Sequence, residues 1–146
     1  MLKKLFILLS VVLVVSMPVY AVKEKSQDIL KVVVTDVDNA VTYKIKPERS
    51  AVTVAFLSNL DCKEYNLQRT YRTINGIRYI MPVGAWQFIN QKPMSYAMNL
   101  ISQYKGDIYF KPLGIGINGY YVGEMYLGKN SLNKRLVEKG YCNYIK

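Results

Sequence analysis

The sequence predicts a mainly β domain of the α+β class, built on a small closed barrel. Short runs of β-branched and apolar residues follow one another, with turn residues between them. Two stretches have the three- and four-residue apolar spacing of amphipathic helices. Read in order, the elements are three strands, a helix, two strands and a final helix. That order is the layout of a five-stranded OB barrel with two to three helices.

The first three strands are predicted to form an antiparallel meander. Asp38 and Asn39 supply a turn after the first strand, and a charged stretch containing Pro47 supplies the turn after the second. Because both connections are short, consecutive strands should pair as neighbours. The predicted strands cover residues 29–37, 40–45 and 51–60.

Residues 65–92 interrupt this regular pattern and are predicted to be an insertion that carries a hairpin. Asn75 and Gly76 both tolerate a positive φ, which a two-residue hairpin turn requires. The aromatic residues of the hairpin are expected to pack it against the domain, and stacking on nucleic-acid bases is the alternative. Pairing across the turn places one set of side chains on a common face: Arg72, Ile74, Ile77 and Tyr79.

Two helices are predicted in the second half of the chain. The first runs from Pro93 to Tyr104, because proline suits the first turn of a helix. The second follows a cap at Asn130 or Ser131 and stops at Gly140. One apolar stripe of the first helix is expected to face the core: Met94, Ala97, Met98, Ile101 and Tyr104.

The remaining strands are predicted over residues 107–111 and 120–126. Between them, residues 114–119 match the G-x-G-x-x-G pattern of dinucleotide-binding proteins. That pattern requires a following helix, whereas a tyrosine-rich strand follows here. We therefore interpret the glycines as a flexible hairpin loop.

Residues 1–21 have the features of a secretory signal peptide and are set apart from the fold. Two lysines precede an apolar run, and the small residue Ala21 suits a cleavage site. The alternative is an uncleaved anchor helix, although the run is short for a membrane span and Pro18 interrupts it. Cleavage leaves one domain over residues 22–146, without a transmembrane span, exported to the periplasm or the extracellular space.

The exported chain is strongly basic. Without Lys3 and Lys4 it carries 18 Lys and Arg against 10 Asp and Glu, a net charge of +8. An excess of positive charge favours anionic partners such as nucleic acid, anionic lipid or cell-wall polymer. Solubility alone is the other explanation of that charge.

The chain contains two cysteines, Cys62 and Cys142, and no histidine. In an exported and oxidising setting an even number of cysteines predicts a disulfide, and two buried free thiols are the alternative. Two cysteines without histidine are too few ligands for an ordinary zinc site.

Two of the predicted strands end in acidic residues. The first runs into Asp36 and Asp38, and the third runs into Asp61 and Glu64. If these strands are neighbours, their ends gather up to four carboxylates at one edge of the barrel. The sequence leaves open whether that edge is a metal site or a solvated rim.

The carboxyl-terminal stretch 123–141 resembles the signature of the staphylococcal nuclease (thermonuclease) family. In that signature a strand ends in Tyr, and a short turn and V-N-x-x-L-V-x-x-G follow. The Asp-Gly-Asp-Thr motif of the family is similar to residues 36–39, and its Asp-x-Pro-Glu motif is similar to residues 61–64. The similarity covers about residues 30–143, and the insertion aligns poorly. The signature is matched at Leu132, Asn133, Leu136, Val137 and Gly140.

The resemblance implies a nuclease that cleaves the phosphodiesters of DNA and RNA with one Ca²⁺. It places the carboxylate ligands of that ion at Asp38 and Asp61, and a backbone carbonyl ligand at Cys62. It places at Glu64 the general base that activates water. These assignments agree with general chemistry, because calcium prefers hard oxygen ligands and a carboxylate beside water can take its proton.

The sequence departs from the family at two arginines that hold the phosphate. Phe56 and Tyr120 occupy those positions here. Losing one donor of this kind costs about 10²–10³-fold in rate, and losing both costs roughly 10⁴-fold, allowing for non-additivity. Lys63 replaces a proline in the second acidic motif, and Val37 replaces a turn glycine in the first. Arginines that reach in from the insertion are the alternative donors: Arg69, Arg72 and Arg78.

The sequence therefore predicts a secreted, catalytically impaired protein of this family that binds nucleic acid, another polyanion or a protein partner. The alternative is a working Ca²⁺-dependent nuclease. A third hypothesis is a structural envelope protein whose aromatic insertion packs against a partner.

Overall fold

The computed structural model describes residues 28–65, 71–81, 87–116 and 118–146. The predicted signal peptide and Arg69 lie outside them. Within these ranges the chain forms ten strands and two helices. Their bounds are β1 Leu30–Asn39, β2 Thr42–Pro47, β3 Thr53–Leu57, β4 Leu60–Asp61, β5 Tyr71–Ile74, β6 Ile77–Ile80, α1 Lys92–Gln103, β7 Ile108–Ile115, β8 Tyr121–Leu127, β9 Asn130–Ser131, α2 Leu132–Glu138 and β10 Asn143–Tyr144.

Five of these strands close into a barrel. β1, β2 and β3 form the predicted antiparallel meander, and β7 pairs with both β1 and β8. Parallel pairing of β3 with β8 closes the barrel and sets Ala55 opposite Tyr121 and Leu57 opposite Gly123. The predicted α+β class and the five-stranded OB barrel are confirmed.

Apolar side chains from alternate strand positions fill the barrel. Tyr43 and Ile45 in β2 and Phe110 in β7 are completely buried, as the two-residue period of a strand requires. Helix α2 adds Leu132 and Leu136 to the same core. Each fully buried side chain of this size stabilises the fold by about 1.5–3 kcal/mol through removal of apolar surface from water.

β7 and β8 approach each other most closely at Gly123. A Cβ atom added there would lie 2.0 Å from the carbonyl oxygen of Lys111, so any side chain would push the strands apart. The ladder between these strands also shifts register between Pro112 and Gly114. Such an irregularity increases the local bend of a strand, which helps the pair to curve around the barrel.

β5 and β6 form the predicted hairpin, and it docks on the outside of the barrel. Asn75 and Gly76 have φ values of 48° and 76°, as the two-residue turn requires. Gly114 lies beneath the hairpin, where an added Cβ atom would be 2.7 Å from a methyl carbon of Ile74. Gly114 and Ile115 thus belong to β7 and support the hairpin, and the predicted glycine-rich loop is wrong for these two residues.

The predicted turn at Asp38 and Asn39 is wrong by two residues. β1 continues to Asn39, and the turn lies at Ala40 and Val41. The side-chain oxygen of Asn39 accepts a hydrogen bond of 2.9 Å from the backbone amide of Val41. Asn39 therefore opens the turn through its side chain instead of sitting at its centre.

The two helices confirm the predicted positions, with one correction in α1. Met98 was expected in the core but is 45% exposed. The buried side of α1 is rotated toward Tyr96, whose ring lies 5.2 Å from that of Tyr141 next to α2. In α2, Ser131 is the cap and accepts a hydrogen bond from the amide of Lys134.

Cys62 and Cys142 form the predicted disulfide, and the described residues contain no free cysteine. It joins the end of β4 to the segment after α2, beside the pairing of Asp61 with Asn143 in β10. The two cysteines are 80 residues apart in the chain. On the chain-entropy model, a loop of that length stabilises the fold by about 4–5 kcal/mol.

Replacing both cysteines, in the Cys62→Ala Cys142→Ala double variant, is expected to lower the free energy of unfolding by about 4–5 kcal/mol. Urea unfolding of the two proteins measures the difference. The wild-type protein with reductant serves as the control and should unfold near the variant. Equal midpoints for the oxidised and reduced wild type would contradict the expectation.

Candidate functional site

The predicted acidic residues of the site have different contacts, and Asp38 and Glu64 both lie close enough to Tyr65 to affect it electrostatically. Among the residues that the structure describes, no three Asp, Glu or Cys side chains lie in an arrangement that could hold a metal ion. The calcium site that the family resemblance implies at Asp38, Asp61 and the Cys62 carbonyl therefore stays a prediction. Each acid has contacts of its own, and these contacts differ in kind.

Asp36 and Asp38 at the end of β1 share a cation from β2. The ammonium of Lys44 lies 3.3 Å from a carboxylate oxygen of Asp36 and 3.8 Å from one of Asp38. Lys44 is directly opposite Asp36 because the β1–β2 ladder shifts register around Thr35. All three charged groups remain partly exposed, so the pairs are screened by solvent. Their main consequence is that Lys44 offsets the negative charge that a bound cation would need.

Asp61 lies in β4 opposite Asn143 and orders the turn that follows it. One of its carboxylate oxygens accepts a hydrogen bond of 3.2 Å from the amide of Lys63. Lys63 has a positive φ of 36°, which is uncommon for a residue with a side chain. The turn places the Cys62 side chain in the disulfide and Glu64 in the interior.

Glu64 is buried, with 3% of its surface exposed. Its two carboxylate oxygens lie 3.0 and 3.1 Å from the amide nitrogen of Ala40 in the β1–β2 turn. The amide of Met94, in the first turn of α1, is also hydrogen-bonded to it. The residue before α1, Gln91, makes no capping bond through its side chain. Glu64 therefore satisfies an amide at the helix N-terminus that the local sequence leaves without a partner.

Burial raises the pKa of Glu64 to about 7, and the hydrogen bonds from Ala40 and Met94 only partly oppose that rise. Burial and, to a smaller extent, the charge of Glu64 raise the pKa of the Tyr43 hydroxyl. That hydroxyl donates a hydrogen bond of 2.6 Å to the carbonyl of Ala40. The same two causes raise the pKa of Tyr65. A carboxyl group with a pKa near 7 suits a general base, but this one already accepts bonds from the backbone.

Phe56 and Tyr120, at the two positions where the resemblance places arginines, lie against each other. Their ring centroids are 5.4 Å apart in an edge-on arrangement. The ring of Tyr79, from the hairpin, lies 5.1 Å from that of Phe56, and its hydroxyl is hydrogen-bonded to that of Tyr120. With Val122 these residues form a second apolar cluster outside the barrel.

This cluster lies on the outer side of β3 and β8, the two strands whose parallel pairing closes the barrel. Phe56 and Val54 lie on that face in β3 and are both packed into the cluster. Three hairpin side chains complete it: Ile74, Ile77 and Tyr79. The hairpin thus covers the outer side of β3 and β8 at this point.

The two arginines of the hairpin that the structure describes differ in their contacts. The guanidinium of Arg78 donates a hydrogen bond of 2.9 Å to the carbonyl of Lys146 at the carboxyl terminus. The backbone amide of Arg78 donates a hydrogen bond to the side-chain oxygen of Asn59. The backbone amide of Asn59 in turn donates one to the backbone carbonyl of Arg78. Arg72 is exposed and lies close enough to affect Tyr79 electrostatically.

Sequence reasoning missed a groove of about 580 Å³ on the outer side of β7 and β8. Tyr109 and Tyr126 face each other across the two strands and line it together with Lys111 and Lys129. Neither lysine lies within ion-pair distance of a described carboxylate. Lys111 is nevertheless directly opposite Glu124 in the ladder, and Glu124 accepts a hydrogen bond from the hydroxyl of Tyr126. The sequence signal that could have revealed this groove is the two-residue spacing of Tyr109 and Lys111, which places both side chains on the same face of β7.

Comparison with known proteins adds no family assignment: no protein-family model matches the chain, and no curated protein does. The resemblance to staphylococcal nucleases therefore stays a prediction from motifs. Within the described residues, neither helix has the length and apolar character needed to cross a membrane.

The raised pKa of Glu64 predicts a stability that falls as the pH rises from about 5 to 8. The folded protein binds this proton with a pKa of about 7 against an ordinary value of 4.5. The unfolded chain therefore releases the proton first, and stabilisation present below pH 4.5 is lost as the pH passes 7. That difference in pKa corresponds to a change of at most about 3 kcal/mol in the free energy of unfolding.

Replacing the group, in Glu64→Gln, should flatten this pH dependence. Thermal unfolding of both proteins between pH 5 and 8 measures the effect. Glu138→Gln, at an exposed carboxyl group paired with Lys134, is the matched control and should follow the wild type. Parallel curves for wild type and Glu64→Gln would show that Glu64 does not titrate in this range.

Proposed function

We propose that this chain is an exported, non-catalytic OB-fold protein of the staphylococcal nuclease type that binds single-stranded nucleic acid as a polyanion. The proposal has a negative part, the loss of phosphodiester hydrolysis, and a positive part, binding through a basic surface with aromatic side chains.

The aromatic cluster at Phe56, Tyr79 and Tyr120 is the observation that carries the proposal. Phosphoryl chemistry depends on preorganised positive charge around the phosphate. At the two positions that would supply it, neutral rings are packed under the hairpin. The neighbouring carboxylates of Asp36 and Asp38 are offset by Lys44. A phosphate at these two positions would meet aromatic rings, with Arg72 of the hairpin as the neighbouring cation.

The groove between Tyr109 and Tyr126 supports the positive part. Proteins that bind single strands combine cations that contact the phosphates with aromatic rings on which bases stack. Lys111 and Lys129 supply two cations, and the two tyrosines are half-buried and adjacent. Glu124, which lies opposite Lys111 and is hydrogen-bonded to Tyr126, offsets part of that charge. The net charge of +8 of the exported chain attracts the same ligand from a distance.

A working Ca²⁺-dependent phosphodiesterase is the second candidate, and one observation favours it. The pKa of Glu64, raised by burial to about 7, is the value expected of an efficient general base at neutral pH. In that case Asp38, Asp61 and the carbonyl of Cys62 would hold the ion.

A nuclease assay separates these candidates. Incubation of the purified chain with single-stranded DNA and Ca²⁺ is expected to give cleavage at least about 10⁴-fold slower than a staphylococcal nuclease assayed in parallel, because both phosphate-holding arginines are absent. A chelator provides the background. Chelator-sensitive cleavage that disappears in Glu64→Ala would establish the enzyme and refute the non-catalytic proposal.

Binding is expected to depend on the lysines of the groove. The Lys111→Gln Lys129→Gln double variant should bind a labelled dT oligonucleotide more weakly, and its plot of log affinity against log salt should be less steep by roughly 1.4, or 0.7 per lost phosphate contact. Fluorescence anisotropy at several salt concentrations measures both quantities.

The control is the Lys134→Gln Lys139→Gln double variant, which removes the same charge from α2 and from the residue that ends it. It should retain most of the salt dependence. Polyphosphate, which has no bases, should compete less well than the oligonucleotide if the tyrosines stack on bases. No saturable binding of either polyanion by the wild type would refute the positive part.

A further inference from the structure

A carboxylate lies beside the Tyr109–Tyr126 groove, on the outer side of β7 and β8. Tyr109 is opposite Tyr126 in the ladder, and Lys111 is opposite Glu124 one step further along it. Because side chains alternate along a strand, these four side chains share one face. In each strand the residue between the two is completely buried, which agrees with that alternation. Glu124 is therefore next to the groove on the same surface.

The carboxylate of Glu124 has one hydrogen-bond partner and can accept more bonds. Its Oε2 atom accepts a hydrogen bond from the hydroxyl of Tyr126, and this bond raises the pKa of that hydroxyl to about 12. The other oxygen, Oε1, accepts no hydrogen bond from a described residue, and no described cation lies within ion-pair distance of it. A carboxylate offers about four lone-pair positions. Glu124 is only half-buried, so a ligand in the groove can reach those that remain.

A carboxylate at the edge of a polyanion site repels the ligand unless the ligand offers it a hydrogen-bond donor. Like charges that face each other without such a bond lower the affinity. Within a DNA strand, the phosphates and sugars between the two ends have no N–H or O–H group. The donors for Glu124 therefore have to come from the bases, whose edges are open in single-stranded nucleic acid.

We infer that Glu124 makes this groove select guanine within single-stranded nucleic acid, an inference that rests on the proposed function. The Watson–Crick edge of guanine carries two adjacent donors, N1–H and the N2 amino group. Two adjacent donors match the two oxygens of a carboxylate as a bidentate pair. Adenine and cytosine each present one amino group beside an acceptor nitrogen, and thymine presents one N–H between two carbonyls. The acceptors of these three bases would face the negative charge.

Tyr126 positions the carboxylate for this contact. The hydrogen bond from its hydroxyl holds Glu124 at the rim of the tyrosine ring, so a base stacked on that ring brings its edge beside the carboxylate. Lys111 and Lys129 remain for the phosphates on either side of the stacked base. Glu124 is thus the specificity-determining residue, and Tyr126 is both a stacking surface and a positioning residue.

The test measures base preference by fluorescence anisotropy, with labelled thymine strands of about nine nucleotides, within the site size of an OB fold. One central thymine is replaced by guanine, hypoxanthine, adenine or cytosine. We expect the guanine strand to bind about tenfold more tightly than the all-thymine strand, as one bidentate base contact allows. Hypoxanthine, which lacks the N2 amino group, should lose most of that gain. A uridine RNA of the same length tests whether the 2′-hydroxyl is the donor instead.

Two variants separate recognition from a structural role. Glu124→Gln should remove the preference for guanine and, because a negative charge is lost, bind the all-thymine strand at least as tightly as the wild type does. A merely structural role of Glu124 would weaken the binding of both strands. Tyr126→Phe keeps the ring but releases the carboxylate, so it should reduce the preference for guanine. Glu138→Gln, which removes a carboxylate from α2, is the matched control and should keep the wild-type preference.

The failure of this inference and that of the proposed function give different results. Equal affinity for the guanine and thymine strands would overturn the inference and leave nucleic-acid binding in place. A uridine RNA that binds as tightly as the guanine strand, or a guanine preference that survives Glu124→Gln, would do the same. No saturable binding of any strand would refute the proposed function, and the inference with it.

Discussion

The buried carboxylate of Glu64 holds together three parts of the chain that are distant in sequence. Its oxygens accept hydrogen bonds from the β1–β2 turn at Ala40 and from the start of α1 at Met94. Its own carbonyl accepts bonds from the amides of Ile89 and Asn90, which close the base of the insertion. No described cation compensates the carboxylate, so desolvation outweighs the amides and the pKa rises. The group therefore fixes geometry at a cost in stability, and the barrel, helix and insertion meet around it.

The docked hairpin and the aromatic residues at positions 56 and 120 depend on each other. A hairpin that docks on the barrel needs apolar surface beneath it, and Phe56 and Tyr120 provide that surface. An arginine at either position would be covered by the hairpin and would lose water without gaining a carboxylate, which is strongly unfavourable. In the proposed family relationship, the insertion and the loss of the phosphate-holding arginines are thus expected to occur together. Gly114, which leaves space for Ile74, belongs to the same arrangement.

The strand order could be predicted because its signals are local: β-branched runs, an Asn-Gly turn, a serine cap and a final glycine. The contacts of the site could not, because they join residues far apart in the chain. The donors to Glu64 lie at Ala40 and Met94, and no spacing rule connects three such positions. The pairing of Lys44 with Asp36 depends on a register shift at Thr35 that the sequence does not mark. Met98 was misplaced because the contact of α1 with Tyr141 sets the rotation of the helix.

The cations of the barrel differ from one strand to the next. Lys31 in β1 lies 3.2 Å from Asp107 and 3.7 Å from Glu48, and Lys44 in β2 is shared by two acids. Lys111 and Lys129 on the other side of β7 have no such partner among the described residues. In the proposed function the polyanion binds on the outer side of β7 and β8, where Glu124 opposite Lys111 offsets only part of the positive charge. The edge of β1 is neutralised by comparison, because Lys31 and Lys44 are both paired, so β7 separates a basic surface from a neutralised edge of the same barrel.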